Sequence, residues 1–181
     1  MSEYLKESYV SKNKVLSVLL FFILITSVYS SELYNKTKKV ITIDVTTHLG
    51  DVKRFIKGDE VSFLISLDRD AHVLLLYQNA NKKIVQLLPN KSRQSYYLKA
   101  GSFIPVPEAG EKFIFKIEPP YGKEVLWVFA ADTPFPDLPG TYRKDGLKKI
   151  TQSIALIRKE LMASSKKVFG EASYGLTTSA R

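Results

Sequence analysis

From Lys39 onward, apolar residues recur at every second position, and that period limits the fold more than any other feature of the chain. In "VITIDVT" it puts Ile41, Ile43 and Val45 on one face and Thr42, Asp44 and Thr46 on the other, the pattern of a half-buried strand. "VSFLISL" repeats it through Val61, Phe63, Ile65 and Leu67. "HVLLLYQ" is free of glycine and apolar almost throughout, as expected of a central strand covered on both faces, and "NANKK" joins it to "IVQLLP" as a hairpin. The prolines of "SFIPVP" confine that strand to an edge or a strand end. "KFIFKIE" keeps Phe113, Phe115 and Ile117 in register. In "PPYGKEVLWVFAA", Pro119 to Gly122 fits a type I turn that feeds the last main strand, where Trp127 is expected in the core. About seven short strands separated by turn signals, with no βαβ pattern, predict a mainly β fold, an antiparallel sandwich or barrel over residues 39–136.

Beyond Pro136 the period changes. Leu147, Ile150, Ile154, Ile157 and Leu161 step by three and four, which predicts one C-terminal amphipathic helix over about 145–163 with Asp145 as its N-cap. Its apolar stripe is expected to pack on the sheet. "FGEASYGLTTS" is open between a final edge strand and a loose tail.

The N-terminus reads as a targeting segment. Lys6, Lys12 and Lys14 precede "VLSVLLFFILI", an apolar core short for a bilayer span, and Val28 and Ser30 suit a small-residue cleavage site. Residues 1–30 are thus read as a signal peptide cut after Ser30, followed by a linker over 31–38; an uncleaved inner-membrane anchor is the alternative. Either way the remainder is expected outside the cytoplasm, in the periplasm or cell envelope. The net charge of +9 becomes +8 once the segment's three lysines and two glutamates are removed. That excess favours anionic surfaces. The chain has no cysteine, which excludes disulfides, thiolate metal sites, a thiol nucleophile and a lipid-attachment cysteine.

Little in the sequence points to catalysis. No nucleophile elbow, phosphate loop or zinc-protease motif occurs, and His48 and His72 fall in different segments. Asp68, Asp70 and Asp132 supply too few oxygens for a calcium site and read as turn residues. No catalytic, cofactor or metal-binding residue is assigned. The best binding candidate is "LPNKSRQSYYLK", where Lys91, Arg93 and Lys99 interleave with Tyr96 and Tyr97, a composition suited to anionic or stacking ligands. Tyr121 is added as an aromatic anchor for a partner.

The order of several pieces resembles a bacterial family, the domain of unknown function 4384, over about 40–136. They are Gly58 to Phe63, Asp70 to Leu76, Leu87 to Asn90, Ile104 with Pro105, and Pro119 to Glu124. The resemblance implies an Ig-like antiparallel β-sandwich with no catalytic residues to carry over. The function expected is that of an exported, non-enzymatic accessory subunit of a cell-envelope complex, with another envelope protein as partner. The alternative is a binding module for an anionic glycan or lipid. Nucleic acid is excluded by the address, and membrane contact arises only if the N-terminal segment stays uncleaved.

Overall fold

The alternating segments pair into two sheets. A computed structural model describes residues 40–164 and 168–181; the signal segment and the linker lie outside the described residues. Strand β1 (Ile43–Thr47) pairs with β3 (Phe63–Leu67), and β3 with β7 (Ile104–Val106), forming a three-stranded antiparallel sheet. The proline-bearing β7 lies at the edge of this sheet, as expected. The larger sheet runs β2 (Arg54–Ile56), β11 (Phe169–Ser179), β8 (Lys123–Ala131), β4 (Ala71–Gln78), β5 (Ile84–Leu88), β10 (Lys148–Ile150) and β9 (Gly140–Tyr142). The short β6 (Tyr97–Leu98) pairs with the start of β4. Every pair in the two sheets is antiparallel except β2 with β11.

Strand alternation sorts the core into two layers. Phe63 and Ile65 of β3 meet Val73 and Leu75 of β4 and Leu126 and Val128 of β8 between the sheets. On the outer face Leu74, Leu76 and Phe129 pack under α1 (Ile154–Ser164) through Ile157 and Leu161. Both faces of β4 and β8 are therefore buried, and each fully buried Leu, Ile or Phe contributes about 1.5–3 kcal/mol. Arg158 fastens the helix, pairing with Glu171 of β11 at 2.7 Å and lying 5.6 Å from the Trp127 ring centroid.

Several expectations need correction. The helix starts at Ile154, not near 145, with Ser153 at its N-cap: Ser153 Oγ accepts from Leu156 N and Ser153 O from Ile157 N. Leu147 precedes β10 and Ile150 ends it, and Arg143–Gly146 forms the turn of the β9–β10 hairpin, closed by Gly146 N donating to Arg143 O at 3.1 Å. There Asp145 Oδ1 accepts from Leu147 N at 3.1 Å, and Gly146 takes φ +84°, a conformation that favours glycine. The 3,4 spacing thus runs by coincidence across a strand and a helix. The β unit does not close at Pro136. Residues 137–181 supply β9, β10, α1 and β11, and the compact unit runs Val40–Arg181. The segment left open as edge strand or tail becomes a long strand between β8 and β2. With β2, β6, β9, β10 and β11 there are eleven strands among the described residues rather than about seven. Residues 112–118 keep their alternation without forming a strand. Trp127 is half-buried, under Arg158, rather than core. Gly122 sits at φ +146° and donates to Thr178 Oγ1 at 3.0 Å, so the turn before β8 is tied to the end of β11.

Candidate functional site

The loop between β5 and β6 is shaped by Asn90. Buried, its Oδ1 accepts from Ser92 N at 2.9 Å and Arg93 N at 3.0 Å, while its Nδ2 donates to Leu87 O at 3.1 Å. Beyond this turn the candidate residues separate. Arg93 turns inward, its Nη1 2.6 Å from Glu108 Oε1 and its Nε 3.4 Å from Glu111 Oε1, with the guanidinium 5.1 Å from the Tyr96 ring centroid. Tyr96 is buried and donates to Glu108 Oε1 at 2.8 Å. The Arg93 guanidinium holds the Glu108 carboxyl below its usual range, and burial raises the Tyr96 phenol. Both residues are consumed in a structural clamp.

Tyr97 and Lys99 turn outward. Tyr97 is half exposed, edge-on to His72 at 4.9 Å, with Lys99 Nζ 5.4 Å from its ring centroid. Lys99 pairs with Asp70 at 2.6 Å and holds that carboxyl below its ordinary value. Tyr121 is no projecting anchor: it packs on the main core, with a buried hydroxyl that has no partner among the described residues. Lys91 points a third way, toward the β9–β10 hairpin, where its N–H donates to Gly146 O at 3.0 Å. The loop's basic and aromatic residues therefore do not converge on one ligand.

Other polar groups are also engaged. Tyr77 donates to Glu124 Oε2, and Glu124 Oε1 is buried without a close partner. Burial pushes the Glu124 carboxyl above its usual range, against the lowering from Tyr77, the Ala80 N–H and Thr178. His48 Nδ1 accepts from Ser62 N at 3.2 Å. Among the described residues no three His, Asp or Glu side chains cluster as a metal site would require, and no helix is long and apolar enough to cross a membrane.

A groove assembles where the sequence reading placed no site. Residues 112–118 run extended, burying Phe113, Phe115 and Ile117. They meet the 59–61 segment through a bridge between Glu60 and Lys116, with Val61 N donating to Phe115 O and Ile117 N to Asp59 O, both at 2.9 Å. Along their other side lies a cavity of about 340 Å³ lined by Tyr77, Val85, Leu87, Pro120, Arg143 and Leu147. Asp145 is shared with a second depression of about 410 Å³, rimmed by Lys91, Lys112 and Lys144. Asp145 is paired with Arg143 at 2.7 Å, whereas these three lysines have no ion pair among the described residues. Of the sequence candidates only Lys91 reaches the groove. Ile114, Lys116, Lys112 and Lys144 were missed, although the outward positions of "KFIFKIE" carry three of them.

Comparison with known proteins agrees with the motif order. Residues 54–134 match the model of the family described as Domain of unknown function (DUF4384), inside the span of the resemblance. No curated protein and no solved structure matches the chain.

Proposed function

We propose that the chain is a non-enzymatic interaction domain, an exported accessory subunit of a bacterial cell-envelope complex whose partner is another envelope protein. The observation that carries this reading is the groove beside residues 112–118, a channel of mixed polar and apolar lining with an extended backbone along one wall and, at its end, lysines that have no ion pair among the described residues. Such surfaces suit protein segments. The non-catalytic reading is supported by how the displaced titrating groups are used. Glu108 serves Arg93 and Tyr96, Asp70 serves Lys99, and Glu124 holds Tyr77. The address rests on residues 1–30 as a signal peptide cut near Ser30, with an inner-membrane anchor as the variant reading. Affinity capture from envelope extracts tests the proposal: a stoichiometric protein partner is expected, and its absence sinks the reading.

A second reading is favoured by Lys91, Lys112 and Lys144 alone: binding to an anionic glycan or lipid surface. It predicts co-sedimentation with sacculi or anionic vesicles that falls steeply as salt rises. No pelleting at low salt removes it.

A further inference from the structure

The interaction reading leaves open where the partner sits and what it looks like, and the backbone of residues 112–118 answers both. In an extended chain, neighbouring residues turn their N–H and C=O to opposite sides. Phe115 and Ile117 use their side for the 59–61 segment, as the bonds from Val61 N and to Asp59 O require. Ile114 and Lys116 therefore present N–H and C=O to the opposite side, where they have no partner among the described residues, and both line the groove. Ile114 is 68% exposed. At about 3.3 Å per residue, residues 112–118 offer roughly 20 Å of edge, enough for a typical strand.

An open edge of this kind is an adhesive surface that proteins ordinarily cover or charge. Here the charges are mainly positive, four lysines against the carboxylates of Glu118 and Asp145. Lys91, Lys112, Lys116 and Lys144 carry no ion pair among the described residues, and of the two carboxylates Asp145 is already held by Arg143, which leaves Glu118 alone against four lysines. Resting on the interaction reading above, we propose that the outer edge of residues 112–118 takes an extended, acidic segment of a partner protein as an added β-strand. The added strand's backbone bonds Ile114 and Lys116, its alternate apolar side chains enter the groove toward Leu87 and Leu147, and its carboxylates meet the lysines.

The test uses a synthetic peptide of alternating Glu and Val, about ten residues long, titrated against the full chain. Amide exchange is followed by NMR. The peptide is expected to slow exchange at Ile114 and Lys116 at least about tenfold, and a Lys/Val peptide to bind at least about tenfold more weakly. Ile114→Pro deletes a donor that the fold does not use, so it should weaken binding by a similar factor while cooperative unfolding persists. If that variant does not fold, the Lys112→Glu/Lys144→Glu double variant carries the same expectation. Absence of protection at Ile114 and Lys116, or binding unchanged by these substitutions, overturns the proposal. Pelleting with phosphatidylglycerol vesicles that depends on the lysines but ignores Ile114→Pro also overturns it, in favour of a lipid surface. Capture of an envelope protein equally by wild type and Ile114→Pro refutes this edge while leaving the interaction reading standing.

Discussion

Strand β8 and residues 112–118 carry the same sequence signal and meet different fates. Both alternate apolar side chains, and both bury every second one against the main core. β8 lies between β4 and β11 and is bonded along both sides, with Val128 opposite Leu75 on one and Ala172 on the other. Among the described residues, 112–118 have a partner on one side only, at a single bridge. Period-two alternation reports which face of a strand is buried. It is silent on whether the two edges are paired, because edge bonding belongs to the backbone and every residue carries the same backbone groups. The difference lies on the link between packing and function: the paired strand holds the fold, and the half-paired one is available to a partner.

The contrast can be broken at its strong end first. Val128→Pro removes a ladder bond and places a ring between two strands, so it should cost well over 3 kcal/mol and abolish cooperative unfolding by urea. Phe129→Ala, in a fully buried site beneath the helix, is expected to lose about 3–5 kcal/mol in the same assay. Trp127→Ala should lose about 2 kcal/mol, less than a full core truncation, since Arg158 and not the sheet covers the ring. Native Trp127 fluorescence should then be partly, not fully, protected from iodide. Smallest of all is Ile114→Pro. Removing an unused donor from an exposed position should shift stability by less than about 1 kcal/mol, and a loss as large as that of Val128→Pro would erase the distinction.

Acid titration sharpens the same comparison within β8. Burial raises the Glu124 carboxyl in the folded protein, so the protonated form is the one the fold favours. Its contribution to stability is complete below the unfolded glutamate pKa and is lost as pH rises through the higher folded value. Glu124→Gln should flatten that decline in urea midpoints measured across the interval, and an unchanged profile would count against the burial account. Glu108 acts with the opposite sign. Arg93 lowers its carboxyl, so its contribution is present above the unfolded pKa and fades as pH falls through the folded one.

What could be read from the sequence follows from how much apolar side chain each segment carries. β1, β3, β4, β5 and β8 were legible because Ile, Val, Leu and Phe mark their period without interruption. β11 was not, since Gly170, Ala172, Ser173 and Gly175 dilute its alternation. The absence of Cβ atoms is nonetheless functional in packing: a Cβ on Gly170 would lie 2.3 Å from Ile41 O. The helix start was misplaced because Leu147 and Ile150 mimic a helical stripe. The Asp145–Gly146 dipeptide, a hairpin signal, was the feature that argued otherwise. Lys148 lies inside the span expected to be helical, off its apolar stripe. Yet it is buried, its Nζ bonded to both oxygens of Asp137 at 2.7 and 2.8 Å. At the candidate site, basic and aromatic composition identified a loop whose residues serve three separate places. Only Lys91 reaches the groove, whose other lysines come from segments far apart in the chain, and only the fold brings them together.

The most direct test of the half-paired edge is amide hydrogen exchange on the free protein, resolved by residue. Leu126 and Val128, bonded within the large sheet, should exchange near the rate of global unfolding, and Ile117, which donates to Asp59 O, should also be protected. The account predicts that Ile114 and Lys116 exchange orders of magnitude faster than Leu126, alternating with Ile117 along one short segment. Protection of Ile114 and Lys116 comparable to that of Leu126 would contradict it, because the edge assigned to a partner would then already be bonded within the chain.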